Sequence, residues 1–419
     1  MYFKILQYAL FSVFITLSFV GIFAIGLAGH RYKEYVVEPQ LLSEKNVPSP
    51  SDRTALQNVL EAENTHASSS REKPKPEQEK TAINPHTSVA PKTLSSTTIA
   101  ISPTQSPAVR PLPSSGKELK PVTEEECEKI KTDSNFFLDP SMQALRVEKE
   151  LRSNGNNADA DLLRNISCHP QAVWFVGGNA ENVKARARAL TKAASEQRKI
   201  LVLVLYNVPD HFTLTWRSGI GDAGEYRAWI SAIAEGIGTS SPWILLEPDS
   251  IGLAFNLNNS DRSIRLNQIR EAVLIFREKT PNARIYLDAG HSAWHKAADY
   301  ALYLKQAGIE NAFGFSTNVS NFQLLSNEIS YGKQISELTG SAHFIIDTAR
   351  NGNGPSIKEW CNPFGRALGK NPTQDTGNSL IDALLWIKLP GESDGTCNNG
   401  PSAGKFWTEY ALELIRNVK

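Results

Sequence analysis

Acids and amides recur at one kind of place in this chain. Asp210, Asp249, Asp288, Asn318, Asp347, Glu392 and Asp394 each end or follow a short apolar run, and Tyr206, His291, Trp294 and Trp360 are interleaved with them. A single aspartate after an apolar run is normally a helix N-cap. A ring of them is not explained by capping alone. Several carboxylates facing one cleft repel, so at least one is expected to keep its proton near neutrality, the state a general acid requires. Tyrosine and tryptophan beside them suit sugar rings, whose apolar faces stack on aromatic surfaces while their hydroxyls need charged and amide partners. Glycoside hydrolysis combines these needs. A divalent-metal site would also gather Asp and Asn, but no strand end carries a compact DxD or HxH pair, so neither a metal nor a cofactor is expected.

The elements that must position these residues are visible as alternation. From residue 170 onward, the apolar runs "AVWFVGG", "ILVLVLYNV", "WILLEPDS", "RIYLDAG", "AFGFSTNV", "HFIIDTA" and "ALLWIKL" are separated by stretches of helical period such as "AENVKARARALTKAASEQ" and "RSIRLNQIREAVLIFREK". Nearly continuous apolar strands alternating with helices predict an α/β fold with a buried parallel sheet. We expect a distorted seven-stranded parallel (β/α) barrel, in which the C-terminal ends of the strands share one rim and carry the active site. No GxGxxG or Walker sequence follows any strand, which disfavours a nucleotide fold.

The rest of the chain bounds the setting. Of 419 residues, those before about 125 do not read as a packed domain. Residues 5–28 are almost wholly apolar and as a helix would span ~36 Å, enough to cross a ~30 Å hydrocarbon core. Residues 1–29 are therefore read as a membrane anchor, with a cleaved export signal as the alternative. Residues 30–125, rich in Pro, Ser, Thr and charge, are expected to be a disordered tether, and residues 126–419 a catalytic domain. This places the domain in the periplasm or outside the cell, held at the membrane; the alternative is a secreted protein. Charge is balanced, 44 Lys and Arg against 44 Asp and Glu, which argues against nucleic acid as a partner. The four cysteines, Cys127, Cys168, Cys361 and Cys397, include no CxxC pair, and an even count behind an export segment points to disulfides.

Taken together, "LLEPDSIG", "YLDAGHSAWH", "STNVSNF", "DTARNGNGP", "WCNPFGRALG" and "WIKLPGESDGTCNNGP" resemble glycoside hydrolase family 6, the inverting cellulases that act on β-1,4-glucans. The resemblance covers roughly residues 130–419 and implies cellulose or cello-oligosaccharides as the bound partner. It implies Asp249 as general acid, Asp394 as the carboxylate discussed as base, Ser218 as a holder of the attacking water, and Tyr206 beneath the ring that distorts. Trp294 and Trp360 match stacking tryptophans, Lys388 and Glu392 match hydroxyl-binding residues, and Asp288, His291 and Asn318 belong to supporting cleft motifs. Cys361 and Cys397 sit where bacterial members form a C-terminal disulfide. The fate of Cys127 and Cys168 stays open, pairing with each other being one option. Trp360, next to a cysteine, could instead be core, and His291 a buried structural histidine. Asp347 and Arg350 are expected to form an ion pair beneath the rim.

Inversion requires room for a water between sugar and base, so the carboxyl groups of Asp249 and Asp394 are expected ~6.5–9.5 Å apart instead of the ~5–5.5 Å of retaining enzymes. In exo-acting members two long loops roof the cleft. After Asp394 and Gly395, only "TCNNGPSAG" precedes the helix expected near Lys405, which favours an open cleft and endo cleavage. One stretch departs from the family. Where typical members read Tyr-Asp/Asn-x-Pro-x-Arg-Asp-Cys, this chain reads "YNVPDHFT", so Phe212 replaces an aspartate and Thr213 a cysteine. The alternative function is accordingly a catalytically weakened glycan-binding protein of the same fold, with Asp210 as a candidate substitute for the missing acid.

Overall fold

The structure is a computed structural model that describes residues 119–209, 222–357 and 359–419. The anchor and residues 30–118 of the expected tether lie outside the described residues, as do Asp210, Phe212, Thr213 and Ser218, while the last two tether residues, Glu124 and Glu125, already belong to a helix. Among the described residues no helix is long and apolar enough to cross a membrane.

Three helices precede the sheet: α1 (Glu124–Asp133), α2 (Gln143–Ser153) and α3 (Asn157–Ser167). Then follow β1 (Val173–Phe175), α4 (Ala180–Glu196), β2 (Val202–Leu205), α5 (Ala223–Ile237), β3 (Trp243–Leu246), the short α6 (Ser250–Ala254), α7 (Asn259–Lys279) and β4 (Arg284–Asp288). The second half runs α8 (Ala297–Gln306), β5 (Gly314–Thr317), α9 (Leu325–Leu338), β6 (His343–Asp347), β7 (Ile381–Leu385) and α10 (Thr408–Arg416). The expected seven strands are all present, in spatial order β1 to β7, and every neighbouring pair is parallel.

Successive residues point to opposite faces of a strand, and the two faces here serve two cores. Leu203, Leu205, Ile244, Leu246, Ile285, Leu287, Phe315 and Ile346 meet the helices on one side. Val202, Val204, Trp243, Leu245, Tyr286, Ile345, Ala383 and Leu385 form one cluster on the other. That a single cluster draws on β2 and β7 alike requires the sheet to curl. Its edges are joined at a seam where the Ala172 N–H donates to the Trp386 carbonyl (3.0 Å) and the Trp174 indole N–H to the Ile387 carbonyl (2.8 Å). The barrel is therefore distorted as expected, stitched between β1 and β7 by scattered bonds instead of a ladder. Both faces being buried is what made the strands read as unbroken apolar runs.

Two disulfides brace this frame, Cys127–Cys168 and Cys361–Cys397, so the pair left open by the sequence is joined. In the chain-entropy picture each contributes on the order of 4 kcal/mol for loops of this length. Cys127–Cys168 ties α1 to the C-cap of α3, next to His169. His169 is buried and its ring lies 5.0 Å from that of Trp386. Burial holds its imidazole down to about 4, against 6.5 ordinarily. Below pH 6.5 the unfolded chain takes up a proton that the folded one refuses, so this contribution is present above pH 6.5 and is lost as pH falls toward 4. In urea titrations at pH 7 and pH 4.5, His169→Gln is expected to lose less stability between the two pH values than the parent chain.

Candidate active site

Acid-bearing turns crowd the C-terminal ends of β3, β4, β6 and β7. After β3 comes Glu247-Pro248-Asp249, in which Glu247 (φ 52°) and Asp249 (φ 68°) are both left-handed, an uncommon state that must be held from outside. Glu247 is fully buried; its two oxygens accept the Asn207 N–H at 3.0 and 2.9 Å, and it also accepts the Tyr226 hydroxyl at 3.0 Å. The Asp249 N–H donates to Asp288 Oδ2 at 3.1 Å. Asp249 occupies the N-cap position of α6, yet its side chain makes no capping hydrogen bond, unlike Asn179, Asp222 and Asn258 at the starts of α4, α5 and α7. The capping explanation of this aspartate therefore fails. Its side chain is half-buried at the rim.

Asp288, at the end of β4, is 2% exposed and also accepts the Gly290 N–H at 3.2 Å. It acts on its neighbour's backbone from below. The turn that follows carries His291 and Trp294, whose rings stack at 5.8 Å. Burial, with the nearby His295, holds the His291 imidazole down to about 4, so it is neutral near pH 7. Trp294 lies directly on Gly252 of α6: a Cβ there would sit 2.6 Å from the indole. Only glycine lets the tryptophan settle this close to the turn that bears Asp249. Sequence reasoning missed the residue that pins the turn, Glu328 of α9, which accepts the Ser292 N–H at 2.9 Å and whose carboxyl burial pushes up.

Asn318 is placed differently from what a ligand-binding role requires. It is 0% exposed and left-handed (φ 65°), its amide N–H donates to the Asp347 carbonyl (2.8 Å), and its Oδ1 accepts the Gln323 N–H (3.0 Å). Its side chain holds the β5 and β6 loops together.

The expected ion pair between Asp347 and Arg350 is absent from the contacts among the described residues, and the reason is geometric. Asp347 spends its oxygens on the backbone N–H groups of Ala349 (2.9 Å), Ser320 (3.0 Å), Lys388 (3.0 Å) and Ile387 (3.3 Å). Burial nonetheless pushes its carboxyl up. Arg350 instead reaches Asp394, with Nη1 at 2.9 Å from both carboxylate oxygens. The two side chains are 0% and 6% exposed. Lys388 Nζ donates to Glu392 (2.9 Å) and stands 3.8 Å from Asp394. Thus Asp394, Glu392, Lys388 and Arg350 form one charge cluster after β7. It sets two cations beside two carboxylates.

Two aromatic residues flank the rim. Tyr206 follows β2, half-buried, edge-on to Trp174 at 5.7 Å. Trp360 is 63% exposed, which overturns the core reading allowed for it. A large indole left in solvent beside a disulfide is an exposed stacking surface.

The profile of glycosyl hydrolases family 6 matches residues 131–418. Endoglucanase A of Cellulomonas fimi is 40% identical over 288 residues, which span 68% of this chain and 62% of that protein. Endoglucanase 1 of Streptomyces sp. (strain KSM-9) is 38% identical over 284 residues, 66% of this chain and 78% of that one. The chain thus matches less than two thirds of the C. fimi protein's length. Among solved structures, the endoglucanase Cel6 of Mycobacterium tuberculosis, in complex with a methyl-cellobiosyl-4-deoxy-4-thio-β-D-cellobioside, superposes with a TM-score of 0.64 at 39% identity, covering 68% of this chain and 97% of that one. Sequence profile, pairwise identity and fold agree over the same stretch: the chain belongs to glycosyl hydrolases family 6.

Proposed function

We propose that the chain is a cellulase that hydrolyses β-1,4-glucosidic bonds of cellulose or a related β-glucan, acting in the interior of the glucan and with inversion. Asp249 protonates the glycosidic oxygen, and Asp394 serves as base toward the attacking water. Trp294 and Trp360 stack the sugar rings, Lys388 and Glu392 take hydroxyls, and Tyr206 supports ring distortion, with Ser218 as the water holder. The observation that carries the reading is the contrast between the two acids. Asp249 is half-buried at the rim and its side chain does not cap α6, whereas Asp394 is buried and bound to a guanidinium. One carboxyl stands where a glycosidic oxygen can reach it and the other is held beside cations, which is the division of positions that acid–base hydrolysis needs.

An open cleft is supported by the segment after Asp394. It is tied down by the Cys361–Cys397 disulfide and by a bridge between Glu392 and Phe406, leaving little chain to roof the rim. Two disulfides also favour work outside the cytoplasm, whether tethered through residues 5–28 or secreted. No observation among the described residues favours the binding-only alternative.

The test is digestion of carboxymethylcellulose by the purified chain, following viscosity and reducing ends together, with proton NMR of the first product formed. Viscosity should fall far faster than reducing ends accumulate, and the α-anomer should appear first. A β-anomer would refute inversion, proportional changes would refute endo action, and no release would refute the proposal.

A further inference from the structure

We infer that Asn362 is a positioning residue for the Asp394 carboxylate, and that it couples that carboxylate to the Cys361–Cys397 disulfide. The inference rests on the reading of Asp394 as base. Arg350 binds Asp394 but does not fix its orientation. A single nitrogen, Nη1, stands 2.9 Å from both oxygens, so the contact is a pivot and not the two-pronged fork that would lock the carboxylate plane. Something else must break that symmetry. The Asn362 backbone N–H does so, donating to Oδ2 alone at 3.1 Å.

The bond is reciprocated, since the Asp394 N–H donates to Asn362 Oδ1 at 2.7 Å. The same amide's Nδ2 donates to the Gly395 carbonyl (2.8 Å), Ser393 Oγ (3.1 Å) and the Cys397 carbonyl (3.2 Å). Asn362 is 0% exposed and left-handed at φ 46°, a backbone state that Asn tolerates better than most residues. Even the facing wall is shaped to it: a Cβ on Gly400 would lie 2.4 Å from Nδ2. Because Cys361 and Cys397 are covalently joined, the residue before Asn362 and the carbonyl that Asn362 caps move as one unit. A base delivers its lone pair to one place, so catalysis depends on orientation that charge alone does not supply.

The experiment compares Asn362→Gly, which keeps the left-handed turn and the backbone N–H but loses the amide bonds that hold this N–H and the Asp394 backbone in register, with Asp394→Ala and the parent chain. In Asn362→Gly, kcat on cellohexaose should fall about 30-fold while KM stays within about threefold. Sodium azide should restore part of the rate in both variants. Its terminal nitrogen bonds to the anomeric carbon as the glycosidic C–O bond breaks, and the leaving oxygen takes the proton of Asp249, so no base is needed. Hydrogen exchange at the Asp394 amide, a readout independent of activity, should rise about tenfold or more in Asn362→Gly. Unchanged kcat in Asn362→Gly with an inactive Asp394→Ala would overturn the inference, as would unchanged exchange. So would a joint loss of kcat, KM and melting temperature that azide does not relieve, which would mark a merely structural residue. Full activity in Asp394→Ala would fall elsewhere, sinking the base assignment and this inference with it.

Discussion

Asp249→Asn is expected to lower kcat on cello-oligosaccharides by about 10³-fold, at the middle of the range that a positioned general acid contributes. The loss should depend on the leaving group. A sugar hydroxylate is a poor leaving group and must be protonated as it departs; a dinitrophenolate is not and need not be. On 2,4-dinitrophenyl cellobioside the same variant should therefore retain most of the parent rate. Little change in KM is expected, because the amide keeps the shape of the side chain and the stacking surfaces are untouched. The backbone should also survive, since the Asp249 N–H to Asp288 bond and the left-handed turn do not involve the side chain. Equal losses on both substrates would show that Asp249 is not the proton donor. Thermal melting within a degree or two of the parent would exclude misfolding as the cause.

The contrast between Asp249 and Asn318 shows what sequence alone can and cannot carry. Both follow a strand, both are left-handed, and both fall in motifs that imply a cleft role. A periodic apolar pattern places such residues on the rim, because strand period and helix period are local properties. It does not say whether a side chain faces outward. That depends on partners far away in the chain: Asn318 is turned inward by the Asp347 carbonyl and the Gln323 N–H. Arg350 teaches the same lesson. Its neighbour in sequence was Asp347, but four backbone N–H groups had already saturated that carboxylate, and the acid that needed a cation lay 44 residues away. Glu328 and Asn362 were missed for a related reason. Each acts through a single backbone N–H or a left-handed turn, and neither leaves a mark on composition or periodicity. Trp360 was legible in part, since a tryptophan beside a cysteine could be core or platform, and only its exposure decides.

Arg350→Met should be the most destabilising single change at the rim. The guanidinium is fully buried, lies 4.3 Å from the Phe322 ring and donates to the Ser320 carbonyl as well as to Asp394. Methionine fills similar space without the charge, so packing is largely kept and the cost falls on Asp394. That carboxylate would remain buried with, among the described residues, the Asn362 N–H and Lys388, at 3.8 Å, to oppose its charge. Breaking a buried pair from one side typically costs about 3–5 kcal/mol. For a domain of this size that corresponds to a melting temperature lower by roughly 6–20 °C. The cause can be separated from lost packing by removing the acid too. Arg350→Met combined with Asp394→Leu should recover much of the loss, because replacing both members of a buried pair by apolar groups is often near neutral. The double variant would be stable yet inactive, a pairing of outcomes that links this ion pair to chemistry and not to folding. If the double variant were as unstable as the single, the cost would lie in the Ser320 and Phe322 contacts, and the charge cluster would be a by-product of the fold.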